Sequence, residues 1–267
     1  MLSAGRVLDL LDLLSRSGPL GVSEIARRMA VPKTVAWRLA ETLHDRGYAI
    51  KDPDTRRYSL GLKVLELSAS VRYRLEIVKV ARPYIEELVE KCDETVDLGV
   101  YDKNEVVFVD KKECTRSVRM VSSIGRRLPL HCTGTGKALL AFLPGGEVDR
   151  VISRGLVRYT DNTITEPDEL RRELSRVRAD GYAVDRQEFE IGVRCVAAPV
   201  LDLDGRAVAA ISIAGPAARI TDERIPALAE MVKEAADGIS RDLHGDFGMI
   251  ERRTIQSKPD EGVEEGT

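Results

Sequence analysis

Three stretches of the chain carry residues whose types and spacing could do chemistry. The first runs Leu128-Pro129-Leu130-His131-Cys132-Thr133-Gly134-Thr135-Gly136-Lys137. Thr133 to Gly136 lead into a helix, and the free backbone N–H groups of such a start favour a carboxylate or a phosphate. The stretch is not a P-loop: His131 stands where GxxxxGK[ST] needs its first glycine, and Ala138 where it needs Ser or Thr. Nor is it GxGxxG, because Leu139 occupies the last glycine position. A nucleotide fingerprint is therefore absent. A small-anion site remains, as does the plainer use of glycine for close packing.

The second stretch is a pair of strand-like runs, Val193 to Leu203 and Arg206 to Ala214, around Asp204-Gly205. Asp-Gly is a strong hairpin signal. A two-residue turn places Cys195 opposite Ala214 and Ala197 opposite Ser212. Side chains alternate along a strand, so these four share one face, while Val196, Ala198, Ile211 and Ile213 share the other. One face reads as hydrophobic core. The other is a floor of small residues with one thiol and one hydroxyl. It has room for a small polar molecule, or it lies beneath a packed helix. Pro199 is a candidate for a bulge that shifts this register.

Cys195, His131 and Asp185 could be arranged as nucleophile, base and orienter, but no local signature supports a catalytic set. His131, Cys132 and Cys195 lack the spacing of metal ligands. Neither a catalytic residue nor a metal nor a cofactor is expected.

The third stretch is Ser23 to Tyr58. Ser23 is a natural N-cap for a short helix with Glu24 in its first turn. Pro32 then suits the first position of a second helix reaching about Arg46. Ala36, Leu39, Ala40 and Leu43 fall on one face of it; Lys33, Thr34, Trp37, Arg38 and Glu41 fall on the other. Two short strands follow, Tyr48 to Lys51 and Arg57 to Leu60, joined by Asp52-Pro53-Asp54-Thr55. The pattern is a winged helix-turn-helix. Arg38 is placed to pair with guanine edges, and Lys33 and Thr34 to meet phosphates or bases. Trp37 is placed for sugar, a thymine methyl or the wing. Arg56 and Arg57, at the hairpin tip, are placed for backbone or minor groove. The same amphipathic module also serves protein contacts.

The chain has 267 residues and a net charge of −3, so it is not a globally basic nucleic-acid binder. Residues 1–60 nevertheless hold ten Lys/Arg against seven Asp/Glu. The basic excess is local and modest, and two modules are needed for useful affinity. Four widely spaced cysteines without a CxxC exclude a zinc ribbon and a disulfide framework. Without a signal peptide or a long apolar run, the expectation is a cytoplasmic protein with no membrane span.

These stretches need elements to position them. A helix from Ser3 to Arg16 supports the helix-turn-helix. Residues 61–76 read as a linker helix whose apolar content suits a partner chain. A helix from Leu75 to Cys92 follows, bent or broken at Pro83. Thr95 to Asp102 and Glu105 to Lys111 form a hairpin, and Ser117 to Ile124 a third strand. Two helices are expected, Gly146 to Ser153 and Pro167 to Asp180, the second opened by a Thr165/Asp168 capping box. Tyr182 to Phe189 is a further strand, and Asp222 to Leu243 the last helix. Residues 245–267 are polar and breaker-rich and are expected to be disordered. The fold class is α+β: a winged helix-turn-helix at 1–60, a linker at 61–76 and a largely antiparallel sheet flanked by helices at 77–244.

The chain resembles the isocitrate lyase regulator (IclR) family of transcription regulators from near residue 3 to about Leu243. Three runs carry the likeness: SEIARRMAVPKTVAWRLAETLHDRGY with YSLGLKVLEL, LPLHCTGTGKALLAF, and GYAVDRQEFEIGVRCVAAPVLDLDGRAVAAISIAGP. The resemblance implies a GAF-like effector domain and a homodimer or homotetramer on a palindromic double-stranded DNA operator. It also implies a small organic acid as effector. By motif matching, the effector residues are Gly134, Thr135, Asp185, Cys195 and Ser212. Two departures stand out: Val35 replaces a hydroxyl common before the recognition arginine, and Ala214 stands where a second serine is common.

Overall fold

A computed structural model describes residues 2–74 and 76–256, with 2–3, 69–74 and 244–256 as backbone alone. The chain divides into two compact units, Met1–Arg74 and Leu75–Thr267.

The first unit contains helices α1 (Leu2–Ser17), α2 (Val22–Arg28) and α3 (Lys33–Asp45), strands β1 (Ala49–Lys51) and β2 (Tyr58–Leu60), and α4 (Lys63–Arg74). Leu10, Leu14, Ile25, Ala36, Leu39, Ala40, Leu43 and the fully buried Tyr58 form its core. The expected cap of α2 needs correction. Gly21, not Ser23, is the N-cap; Ser23 is exposed one position inside the helix. The Glu24 side chain reaches back to accept from the Gly21 N–H at 3.1 Å. Pro32 likewise sits one place earlier than expected, as N-cap of α3. In the wing, Asp52 Oδ1 accepts from the N–H groups of Asp54 and Thr55 and from the Thr55 hydroxyl. These bonds fix the turn that presents Arg56.

The second unit contains α5 (Glu76–Cys92), β3 (Thr95–Asp102), β4 (Glu105–Lys112), β5 (Arg127–Pro129), α6 (Gly134–Phe142), α7 (Gly145–Ser153), α8 (Pro167–Asp180), β6 (Ala183–Arg186), β7 (Val193–Leu201), β8 (Ala207–Pro216) and α9 (Ile225–Gln256). The six strands form one antiparallel sheet in the order β5-β4-β3-β8-β7-β6. Val96, Leu98, Val196, Ala198, Ile211 and Ile213 pack with α5 and α9 on one face. Ala197, Ala210, Cys195 and Ala214 lie with α6 and α8 on the other.

The β7–β8 register is as read from the residues: Cys195 pairs with Ala214, and Ala197 with Ser212. Its turn is longer than the two residues expected. Gly205, at φ 74°, closes a turn in which its N–H donates to Asp202 O. The accompanying irregularity falls at Val200/Leu201, not at Pro199. Beyond Ala197 the strand β6 has ended, so Pro199 lies where β7 has an open edge.

Four further expectations fail. Ser117 to Ile124 is not a strand. Instead the segment is held by single bonds: Thr95 Oγ1 to Met120 O, Ser122 Oγ to Asp97 Oδ1, and Lys111 Nζ to Ser122 O. Val118 and Val121 face solvent. Pro83 lies inside an unbroken α5. Glu166, not Thr165, caps α8, and the Thr165 hydroxyl accepts from Arg158 instead. Helix α9 also continues past Leu243 to Gln256, over the first half of the expected disordered tail. No proline interrupts that stretch, and its glycines weaken a helix without stopping it. Residues 257–267 lie outside the described residues.

Candidate functional site

Helix α3 is built as a groove-reading helix requires. Its apolar residues Ala36, Leu39, Ala40 and Leu43 are buried, while Lys33, Thr34, Trp37 and Arg38 are exposed, Trp37 by 51%. Arg56 is exposed at the wing turn in a left-handed conformation, φ 56°. Two residues of this face have other work. Glu41 Oε1 accepts from Lys51 Nζ at 2.5 Å and from the Tyr58 hydroxyl at 2.6 Å, tying α3 to both wing strands. Those bonds hold its carboxyl below the usual range. Arg57, expected to face DNA, is partly exposed and already paired. Its guanidinium donates to Glu24 Oε2 at 2.6 Å and to Pro19 O at 3.1 Å. Arg57 precedes β2 and alternates with the buried Tyr58, so its side chain lies along the surface, 42% exposed, and braces the wing against α2.

In the second unit, Gly134, Thr135, Asp185, Cys195 and Ser212 come from four separate elements and line one cavity. Asp97, Phe108, Met120, Arg126, Leu128 and Phe189 complete much of its wall. The helix start that supplies Gly134 lies directly on the sheet. A Cβ at Gly134 would come within 2.8 Å of Cys195 Sγ, so the glycine is there for close approach. Thr133 caps α6, its hydroxyl accepting from the Gly136 N–H at 3.1 Å. Asp97 escaped the sequence reading, although a signal was available. Thr95, Asp97 and Gly99 alternate with Val96, Leu98 and Val100, which places Asp97 on the small-residue face, in register with Ser212.

The cavity is acidic in composition and short of charge. Burial pushes the Asp97 carboxyl up to about 6, against a hydrogen bond from Ser122. Burial pushes Asp185 up to about 7, with Glu188 adding to the rise. Cys195 is raised to about 12, again chiefly by burial and then by Asp185. A thiol so placed stays protonated and is no nucleophile. His131 is spent elsewhere: Nε2 bonds Val157 O at 3.0 Å, and burial lowers its pKa. The imagined nucleophile–base–orienter set is therefore not assembled. Arg126 is the cation on the cavity wall.

Lys137, next to the glycines, points away from the helix start and into the interior. Its ammonium contacts Glu188, Glu173 at 3.1 Å and Val184 O at 2.8 Å, and the residue is 1% exposed. The P-loop-like lysine is thus a core ion-pair member.

The family model for the IclR helix-turn-helix domain matches residues 3–53, and that for the bacterial transcriptional regulator IclR C-terminal matches 69–241. The chain belongs to the IclR family. It is 37% identical to the HTH-type transcriptional regulator BhcR of Paracoccus denitrificans, over 93% of this chain and 87% of that one. It is 36% identical to the Thermotoga maritima IclR crystal structure, with a TM-score of 0.77, covering 91% of this chain and 99% of that one. An IclR homologue from Microbacterium hydrocarbonoxydans, solved in complex with 4-hydroxybenzoate, matches at 28% identity and TM-score 0.80, over 91% and 99%.

Membership makes this an IclR-family DNA-binding transcription regulator with an effector domain, and not an enzyme. No helix among the described residues is long and apolar enough to cross a membrane. Within the IclR frame the two sites divide cleanly between the two units: the exposed α3 face in the first, the enclosed cavity in the second.

Proposed function

We propose that this regulator binds a small organic acid in the cavity of its second unit. Occupancy alters how paired winged helices hold a palindromic operator. The observation that carries the proposal is the gathering of Gly134, Thr135, Asp185, Cys195 and Ser212, with Arg126, around one enclosed space. Arg126 supplies the charge for a carboxylate. Asp97 and Asp185, their carboxyls raised toward neutrality, can donate to it in their protonated forms. The homologue crystallised with 4-hydroxybenzoate supports an acid of this kind.

Lys33, Thr34, Trp37, Arg38, Arg56 and Arg57 form the DNA-reading set, with Ser23 exposed near the start of α2 for a phosphate. A single modestly basic module binds weakly, so the working form is a homodimer or homotetramer. The linker segment 61–76 offers the joint: Leu62, Leu65 and Leu67 are exposed by 69%, 65% and 49%. The effector acts only by binding two arrangements with different affinity.

Two measurements test this reading. Thermal melts with a panel of small carboxylates are expected to show at least one stabilising ligand, by about 2.7 kcal/mol at a hundredfold excess over Kd. A panel without any stabilising acid at millimolar concentration rules out the acid-sensing role. On the DNA side, Arg38→Ala is expected to weaken operator binding by about 1–3 kcal/mol and to relax sequence preference at the base it reads. A gel shift in which the variant matches wild type on both counts removes Arg38 from the interface.

A further inference from the structure

The enclosed space measures about 40 Å³. That is room for a few waters, each needing ~10–15 Å³ of such space. It is far below the ~300 Å³ at which small-molecule pockets begin. An organic acid enters only if a wall yields. The floor cannot, because β3, β8 and β7 are joined by continuous ladders. The α6 side cannot, because Gly134 already touches Cys195 with no space for a methyl group between them.

Phe189 is a wall that can. It is half-buried in the β6–β7 connection and borders two spaces at once. On one side is the enclosed cavity; on the other is an outer groove of about 350 Å³ that also meets His131, Val157 and Tyr159. Its ring centre lies 4.9 Å from that of Tyr159, with the planes tilted by 52°, and the Arg126 guanidinium lies 5.9 Å from its centre. The backbone carrying it is pinned. Asp185 Oδ1 accepts from the Glu188 N–H at 2.7 Å, and Gln187 Oε1 from the Gly192 N–H at 2.8 Å. The freedom that remains is rotation of the side chain.

We propose that Phe189 sets the ligand class of the effector site. Turning its ring outward joins cavity and groove into one chamber that takes a monocyclic aromatic carboxylate. The carboxylate lies on Arg126, and the ring takes the place of Phe189 against Tyr159. Aromatic pairs at such separations are favourable beyond the area they bury, so the displaced aromatic contact is replaced rather than lost. An aliphatic acid of the same charge has no ring to offer in exchange. This inference rests on the acid-sensing reading of the cavity.

The test is calorimetric titration of the full chain with acetate, benzoate and 2-naphthoate, in wild type, Phe189→Ala, Phe189→Leu and Phe189→Trp. Wild type is expected to bind benzoate at least tenfold more tightly than 2-naphthoate. Phe189→Ala and Phe189→Leu are expected to tighten 2-naphthoate at least tenfold, and Phe189→Trp to weaken benzoate at least tenfold. Acetate is expected to bind wild type at least tenfold more weakly than benzoate, and an unchanged far-UV circular dichroism spectrum across the series shows that each variant is folded. Benzoate and 2-naphthoate affinities that stay within threefold across the series, while acids bind, overturn the role of Phe189 alone. If no acid binds wild type, the acid-sensing reading fails, and this inference fails with it.

Discussion

Lys137→Met is expected to cost the second unit about 3–5 kcal/mol at pH 8, the range for breaking a buried ion pair from one side. At about 2–4 °C per kcal/mol for a unit of this size, its melting midpoint should fall by roughly 6–20 °C. The reason lies in what is left behind. Glu173 keeps a second cation, because Arg176 also bonds it. Glu188 does not. It is 4% exposed, Lys137 is its cation, and its Oε2 already lacks a hydrogen-bond partner. Burial raises the Glu188 carboxyl even with Lys137 present, and removing the ammonium raises it further. A raised folded-state carboxyl destabilises more as pH climbs, so the deficit should be larger at pH 8 than at pH 5. Lys137→Met combined with Glu188→Gln removes the orphaned charge and should restore more than half of the loss. A single variant within about 1 kcal/mol of wild type at pH 8 would mean the pair is reached by water and not buried as described.

The same lysine shows where reading a sequence succeeds and where it stops. Periodicity was enough for α3, because one helix face must be apolar and the other need not be. The Cys195–Ala214 and Ala197–Ser212 pairs came out as read because the irregularity at Val200/Leu201 offsets the longer turn. The five cavity residues followed partly from that register and partly from family resemblance. What escaped depends on where a long side chain goes. Lys137 carried no role in the sequence reading and is buried among carboxylates that lie 36 and 51 positions away. Arg57 looked like a wing-tip cation and is bound to Glu24, 33 positions away. Ser117 to Ile124 has the composition of a strand, but its backbone bonds to side chains rather than to a neighbouring ladder. Such partners are set by tertiary approach, which local pattern does not encode.

Asp185→Asn provides the second large effect, and it has the opposite sign. Asp185 is 5% exposed, and burial moves its carboxyl from 3.8 to about 7. The folded protein therefore holds a proton there that the unfolded chain releases near pH 4. Stability from this group is greatest below that point, falls as pH rises toward 7, and is level above it. The rise corresponds to about 4 kcal/mol of disfavoured ionisation. An asparagine cannot ionise, yet its carbonyl can still accept from the Glu188 N–H that Asp185 holds at 2.7 Å. It forgoes the attraction of Lys137 for a carboxylate, one of the effects that lower the pKa. The net expectation is little or no gain at pH 5 and a gain on the order of 2 kcal/mol at pH 8. Melts across that range should show the variant pulling ahead as pH rises; a difference independent of pH would show that Asp185 does not titrate in the folded state. Retention of so costly a group has a functional account under the acid-sensing proposal. Only in its protonated form can Asp185 donate to a bound carboxylate, so wild-type affinity for the acid should strengthen as pH falls from 8 to 6. In Asp185→Asn the side chain donates at every pH, and much of that dependence should vanish, leaving the part due to Asp97, whose carboxyl titrates at about 6 on the same wall.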